Sequence, residues 1–128
     1  MLTFDKLTEG ATLLAHDGEI SPAERDEWLT IYPGDAAYGD TVPPGLLLAK
    51  VMKVCLVALH DMPDGGIHAG QQLTIRRLPT LGEPLATTIA CTAKEMRRGR
   101  RYATIAMTTR DGSGATVVEG VNRSIWAA

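Results

Sequence analysis

Cysteine and aromatic residues are scarce in this sequence, which holds two Cys, one Phe, two Trp and three Tyr. Cys55 and Cys91 both lie in apolar stretches, and neither has the CxxC or Cys/His spacing of a metal site. The scarcity therefore excludes a disulfide framework and a cysteine-based metal centre. We predict two buried free thiols in a reducing compartment.

Long hydrophobic runs and a strong net charge are also missing. The net charge is -2 and the isoelectric point about 5.9, so no bulk attraction to nucleic acid or to a membrane surface is expected. The longest apolar-rich stretch, residues 45–60, is too short to span a bilayer and contains Lys50 and Lys53. The first ten residues, MLTFDKLTEG, lack the apolar segment of a signal peptide. These features predict a cytoplasmic protein that binds neither nucleic acid nor membrane.

The first half of the chain predicts one short strand and two helices within a single domain, residues 1–128. Residues 11–15 form the strand, which ends at a turn over residues 16–18. Ser21 is suited to cap the first helix, Pro22 to its first position and Glu24 to a capping box. That helix should stop before Pro33. The second helix, residues 45–60, is apolar nearly all round and must therefore be buried on most sides.

The second half predicts four antiparallel strands over residues 71–78, 85–93, 101–110 and 115–126. Residues 97–99 and 111–114 are typical of hairpin turns between the last three. Helices that precede a strand meander indicate the α+β class. A helix this apolar needs a curved sheet wrapped around it, and a small sheet leaves open edges, so we expect a dimer.

Two stretches resemble the MaoC-like hydratases and dehydratases, which have the hot-dog fold. Residues 38–47, YGDTVPPGLL, are similar to the junction between loop and central helix, especially in the N-terminal halves of double-hot-dog dehydratases. Residues 78–120 are also similar, through LPTLGEPL, KEMRRGRR and RDGSGA. The resemblance implies a curved antiparallel sheet around one long helix, and a hydratase or dehydratase acting on an acyl thioester. It implies no cofactor beyond the coenzyme A moiety of the substrate, and a homodimer or a heterodimer with another hot-dog subunit.

The resemblance also assigns candidate catalytic residues. Catalytic members use an Asp and a His five positions later to exchange protons with water and the acyl chain. Asp35 matches the Asp, but Asp40 stands at the histidine position, and Ala37-Tyr38 replaces the family's Asn-Pro. Gly45 matches the glycine whose backbone N–H polarises the thioester carbonyl as an oxyanion donor. Asp35 and Asp40 could form an acid/base pair, or both could simply be turn residues.

Further candidates are substrate-binding residues. Tyr38 could donate a hydrogen bond to the thioester or serve only in packing. Arg97, Arg98 and Arg100 could bind the phosphates of coenzyme A or an acidic carrier protein, or form a solvated turn. His16, His60 and His68 are more typical of turn and helix-end positions than of catalysis.

Three functions stay open at this point. The first is hydration or dehydration of an acyl thioester by this chain. The second is a non-catalytic partner subunit of a MaoC-like heterodimer that binds or shapes the acyl pocket. The third is an acyl-CoA thioesterase in which Asp35 or Asp40 activates water.

Overall fold

The computed structural model describes residues 1–128 and contains two α-helices and five β-strands. The helices are α1 (Pro22–Ile31) and α2 (Pro44–Ala58). The strands are β1 (Thr12–Gly18), β2 (Ile67–Ile75), β3 (Leu85–Arg97), β4 (Arg100–Arg110) and β5 (Thr116–Trp126). Two 3₁₀ helices, Phe4–Lys6 and Pro33–Tyr38, complete the set. Neither helix is long and apolar enough to cross a membrane.

All five strands form one antiparallel sheet in the order β1-β3-β4-β5-β2. The α+β class and the two predicted hairpin turns are therefore confirmed. The prediction of a meander, in which each of the last four strands pairs with the next, is wrong for β2. This strand pairs with β5 and not with β3. The path of α2 explains this order. The helix starts among side chains of β1 and β3 and ends beside β2 and β5, so the chain enters the sheet at its far edge.

The hydrophobic core lies between α2 and the sheet. From α2 it takes five buried residues, Leu46, Leu47, Val51, Val54 and Cys55. They join alternate residues of β3, β4 and β5, such as Ile89, Ile105 and Val117, none of which is exposed. Burying each such side chain stabilises the fold by about 1.5–3 kcal/mol. The prediction that the helix is buried on most sides is wrong for the single chain, since Leu56 and Val57 are 67% and 54% exposed.

Several boundaries differ from those predicted. β1 continues to Gly18 because β3 offers it partners as far as Leu85, so the predicted turn at residues 16–18 is strand. β2 begins at Ile67, opposite Ile125, four residues earlier than predicted. β3 likewise extends to Arg97, because the hairpin pairing continues to the turn.

The N-terminus of α1 is confirmed in part. Ser21 Oγ accepts a hydrogen bond from the Glu24 backbone N–H at 3.1 Å. The Glu24 carboxylate does not complete the capping box, because it accepts a hydrogen bond from Lys50 Nζ on α2 at 2.9 Å. This ion pair connects the two helices.

An ion-pair group, here called the Arg77 cluster, joins Arg77 to Glu83 and Asp111. It links the segment between β2 and β3 to the turn between β4 and β5. Hydrogen bonds from Ser113 and Arg77 hold the pKa of Asp111 well below its usual range. The hydrogen bond from Arg77 likewise lowers the pKa of Glu83. Both carboxylates are thus stabilised in their charged form by folding.

Candidate functional site

The first turn of α2 presents an open backbone donor. Pro43 and Pro44 start the helix, and the Gly45 N–H lies in the first turn, where backbone N–H groups have no acceptor within the helix. The junction is held in place by backbone hydrogen bonds, from Val42 N to Pro79 O and from Leu81 N to Asp40 O, each 2.8 Å. The aligned peptide dipoles add partial positive charge at this end of the helix. The Gly45 amide can therefore bind an oxygen that carries negative charge.

The side chain of Trp28 covers Gly45. A Cβ atom added to Gly45 would lie 2.7 Å from Trp28 Cζ2 and 3.2 Å from Cη2, so only glycine accommodates this ring position. Trp28 Nε1 donates a hydrogen bond to Asp35 Oδ2 at 2.8 Å. The Tyr32 ring stacks against Trp28 at 4.5 Å between centroids. We call Trp28, Asp35 and Gly45 the Trp28 site.

The Trp28 site brings together two of the predicted catalytic residues. Asp35 is half-buried, and one carboxylate oxygen is held by Trp28 while Oδ1 has no protein partner. The free oxygen can accept a hydrogen bond from a water molecule. Trp28 is not among the functional residues predicted from the sequence. The available signal was weak, because seven residues separate Trp28 from Asp35 and nothing in the spacing indicates contact.

Asp40 and Tyr38 take no part in the side-chain hydrogen bonds of the Trp28 site. The Asp40 side chain is exposed and makes no hydrogen bond or ion pair, although its backbone carbonyl accepts from Leu81. The Tyr38 ring is 40% exposed, and its hydroxyl makes no hydrogen bond. The structure therefore does not join Asp35 and Asp40 in a hydrogen-bonded carboxylate pair, and the predicted roles of Asp40 and Tyr38 stay predictions.

The histidines lie elsewhere. His16 is in β1, where its ring lies against Gly18 and lines a cavity of about 20 Å³ under α2. His60 and His68 flank the other end of α2, whose 15 residues span about 22 Å. None of the three forms a hydrogen bond with Asp35 or Asp40. Within one chain, no histidine therefore takes the place of Asp40 in a hydrogen bond with Asp35.

The basic turn between β3 and β4 divides into two groups. Arg97, Arg98 and Arg100 are exposed and make no ion pair or side-chain hydrogen bond. Lys94 and Arg101 are used structurally: Lys94 Nζ donates to Leu7 O at 2.9 Å, and Arg101 donates to Ala127 O at 3.3 Å. The three free arginines remain candidates for binding phosphate.

The basic turn lies far from the Trp28 site within one chain. Leu85, at the start of β3, lines the small cavity beside Leu47 of α2. The turn follows at the opposite end of the 13-residue strand, about 40 Å away along its axis. The structure therefore does not bring the three arginines to the same place as Gly45.

A surface groove between α1 and α2 runs beside the Trp28 site and has a volume of about 510 Å³. Trp28, Ile31 and Leu46 give it an apolar wall, and the charged residues that line it have both signs, Glu24, Glu27, Lys50 and Lys53. Volumes of this size are typical of small-molecule sites. The groove can therefore receive part of a ligand whose polar group is bound at Gly45.

No protein-family profile matches the chain, and no curated protein is similar to it in sequence. Solved structures do match. The MaoC-like dehydratase from Rhodospirillum rubrum is 15% identical with a TM-score of 0.79, over 98% of this chain and 97% of that one. The (R)-hydratase from A. caviae involved in PHA biosynthesis is 21% identical with a TM-score of 0.70, over 92% and 96%.

The HadBC 3R-hydroxyacyl-ACP dehydratase complex from Mycobacterium tuberculosis is 12% identical with a TM-score of 0.66, over 92% of this chain and 98% of that one. A fluoroacetyl-CoA thioesterase is similar at a comparable level, with a TM-score of 0.69. These likenesses confirm the predicted hot-dog fold. Because neighbours with this fold include hydratases, dehydratases and thioesterases, the fold does not choose among their activities.

Proposed function

We propose that this chain binds an acyl thioester at the start of α2 and acts as a subunit of a hydratase- or dehydratase-type hot-dog assembly. The Trp28 site carries the proposal. It combines a backbone N–H without a helical acceptor with a half-buried carboxylate that has one free oxygen. The thioester carbonyl would accept a hydrogen bond from Gly45, where the helix dipole stabilises developing negative charge.

Hydration of an enoyl thioester needs two proton transfers. One group takes a proton from the attacking water, and another gives a proton to carbon. The free oxygen of Asp35 is suited to the first task. Asp40 is poorly suited to the second, because its side chain is exposed and no hydrogen bond or ion pair orients it toward Asp35 or Gly45. The chain therefore supplies half of the proton-transfer machinery.

The chain lacks a group suited to give a proton to carbon. This lack favours a second candidate function, that of a non-catalytic partner subunit. A hot-dog subunit with a complete Asp/His pair would supply the chemistry, while this chain would shape or bind the acyl group. The solved 3R-hydroxyacyl-ACP dehydratase that resembles this chain is itself a complex. Arg97, Arg98 and Arg100 would then contact the phosphates of a coenzyme A thioester, or an acidic carrier protein, held by the neighbouring subunit.

The open edge of β2 supports a dimer. The first six of its nine residues are exposed, and it pairs only with β5. An exposed edge strand presents unpaired backbone groups that a second sheet can satisfy. We expect a homodimer or a heterodimer through this edge. A homodimer would have twice the chain mass by light scattering during size exclusion, and a heterodimer would have the summed mass of the two subunits.

The test measures turnover of crotonyl-CoA by the chain alone and together with a hot-dog protein that has the Asp/His pair. Hydration by the chain alone that is lost in Asp35→Asn, but kept in the control Asp5→Asn, would establish it as the enzyme. Hydration that needs the partner, and is faster with this chain than without it, would establish the subunit function. Release of free thiol would establish a thioesterase. Absence of any binding or turnover in both settings would refute the proposal.

An engineered histidine provides a second test. Asp40→His restores the histidine position relative to Asp35, and we expect measurable hydration by the variant alone if the rest of the site is competent. The double variant Asp40→His with Asp35→Asn should be inactive. Activity that persists without the Asp35 carboxylate would contradict its assigned role.

A further inference from the structure

A small cavity lies beneath α2, between the helix and the inner face of the sheet, and its volume is about 20 Å³. Leu47, Val51 and Val54 line it from the helix side. Thr87 on β3 and Thr109 on β4 line it from the sheet, so one side of the cavity is polar. A cavity needs about 10–15 Å³ to hold a water molecule, and this one therefore has room for a single molecule of that size.

The two threonine hydroxyls form a pair that is hidden from solvent. Thr87 and Thr109 lie opposite each other in neighbouring strands and are 6% and 1% exposed. Their Oγ1 atoms are 2.8 Å apart, so one hydroxyl donates its proton to the other. Each hydroxyl carries one proton, and neither makes a second hydrogen bond within the chain. The accepting hydroxyl therefore keeps a proton that has no acceptor in the protein, although buried polar groups are nearly always hydrogen-bonded.

Three further polar side chains line the same cavity, and two of them have opposite charges. His16 on β1 lies opposite Thr87 in the sheet, and Glu19 follows the same strand. Lys50 on α2 donates one hydrogen bond to Glu24 and has two more protons to donate. A buried water molecule typically makes about three hydrogen bonds, and the hydroxyl pair and these side chains can supply that number.

We propose that this cavity binds one water molecule, held by the hydroxyl pair of Thr87 and Thr109. The water oxygen accepts the remaining hydroxyl proton, and the water donates its own protons to acceptors in the lining, the unprotonated ring nitrogen of His16 and the Glu19 carboxylate. A ligand without an acceptor would leave the hydroxyl donor unsatisfied, which is costly in a buried position. No residue of the Trp28 site lines the cavity, so the inference does not rest on the proposed function.

Two measurements on the full chain test the site. A high-resolution crystal structure should show one ordered oxygen at about 2.5–3.0 Å from Oγ1 of Thr87 or Thr109. Oxygen-17 relaxation dispersion of the solvent counts long-lived water molecules in solution and does not detect hydroxyl protons. In the double variant Thr87→Val with Thr109→Val, which keeps the shape of both side chains and removes both hydroxyls, this count should fall by one water molecule per chain.

The adjacent threonine pair on the outer face of the same two strands provides the matched control. Thr88 and Thr108 also lie opposite each other, and they do not line the cavity. The double variant Thr88→Val with Thr108→Val should keep the full count. An unchanged count without the Thr87 and Thr109 hydroxyls, or the same loss in both double variants, would overturn the proposal. A crystal structure with no ordered oxygen in the cavity, or with a hydroxyl that donates directly to His16, would also overturn it, and this test holds even if the valine variant fails to fold.

Discussion

Substitution of Gly45 by alanine tests the contact on which the Trp28 site depends. Alanine has a higher helix propensity than glycine by as much as about 1 kcal/mol, so this change should otherwise stabilise the start of α2. Here the new methyl group would lie 2.7 Å from Trp28 Cζ2, closer than carbon atoms approach without displacement. We therefore expect Gly45→Ala to destabilise the fold by forcing the indole ring away.

The size of the effect follows from what Trp28 would lose. Overpacking costs about 1–3 kcal/mol where neighbours cannot move freely. The indole ring belongs to α1, which has no buried residue, and can yield at the expense of its hydrogen bond to Asp35 and its contact with Tyr32. Subtraction of the propensity gain, as much as about 1 kcal/mol, leaves a loss of about 0–2 kcal/mol in the free energy of unfolding. The melting temperature should fall by as much as roughly 8 °C.

A double-mutant cycle with Trp28→Leu isolates the contact. Urea and thermal unfolding are measured for the wild type, both single variants and the double variant. In the Trp28→Leu background, Gly45→Ala should cost nothing or should stabilise, because the ring that it displaces is absent. The same change in stability on Gly45→Ala in both backgrounds would show that Trp28 does not lie over Gly45 in solution.

Three further predictions concern the rest of the fold. Gly120→Ala would place a methyl group against Gln72 O in the adjacent strand, so we expect a loss above about 3 kcal/mol by urea unfolding, and near-native stability would refute this close approach. Cys55 and Cys91 are buried, and burial raises the pKa of both thiols, so neither should react with a thiol reagent until the protein unfolds. Rapid labelling of either in the native state would contradict the packing. Folding lowers the carboxylate pKa values in the Arg77 cluster, so its stabilisation is present above about pH 4 and lost as pH falls through the lowered values. In Arg77→Gln the free energy of unfolding should fall less steeply as the pH is lowered below about 4. An unchanged dependence on pH would exclude the Arg77 cluster as the cause of the loss of stability in acid.

Much of the fold could be predicted because local chemistry and tertiary structure agree. Ser21 and Pro22 define the start of α1 whatever surrounds it, and the β3–β4 turn needs only Arg98 and Gly99, both with positive φ. The position of β2 could not be predicted in this way. Its partner is chosen by where α2 ends in space, and the alternation of apolar residues in a strand does not identify its neighbour.

The sequence could predict two residues of the candidate site, but it could not predict which side chains contact each other there. The resemblance placed Asp35 and Gly45 in one site, and the structure joins them through Trp28. A hydrogen bond over seven residues depends on how α1 and the 3₁₀ helix Pro33–Tyr38 are oriented. Sequence spacing predicts contact within one helix, at three or four residues, and gives no such information across a helix boundary.

The attachment of α1 has a consequence for how the site would be reached. α1 contributes no buried residue, and outside the Trp28 site it is joined to its surroundings by polar contacts such as Glu24 to Lys50 and Arg25 to the Gly39 carbonyl. Segments with few buried apolar contacts open at lower free energy than the core that carries them. The core face of α2 is buried against the sheet, so Gly45 stays fixed while the ring above it can move. Displacement of Trp28 would therefore release the second oxygen of Asp35 while the Gly45 amide keeps its position.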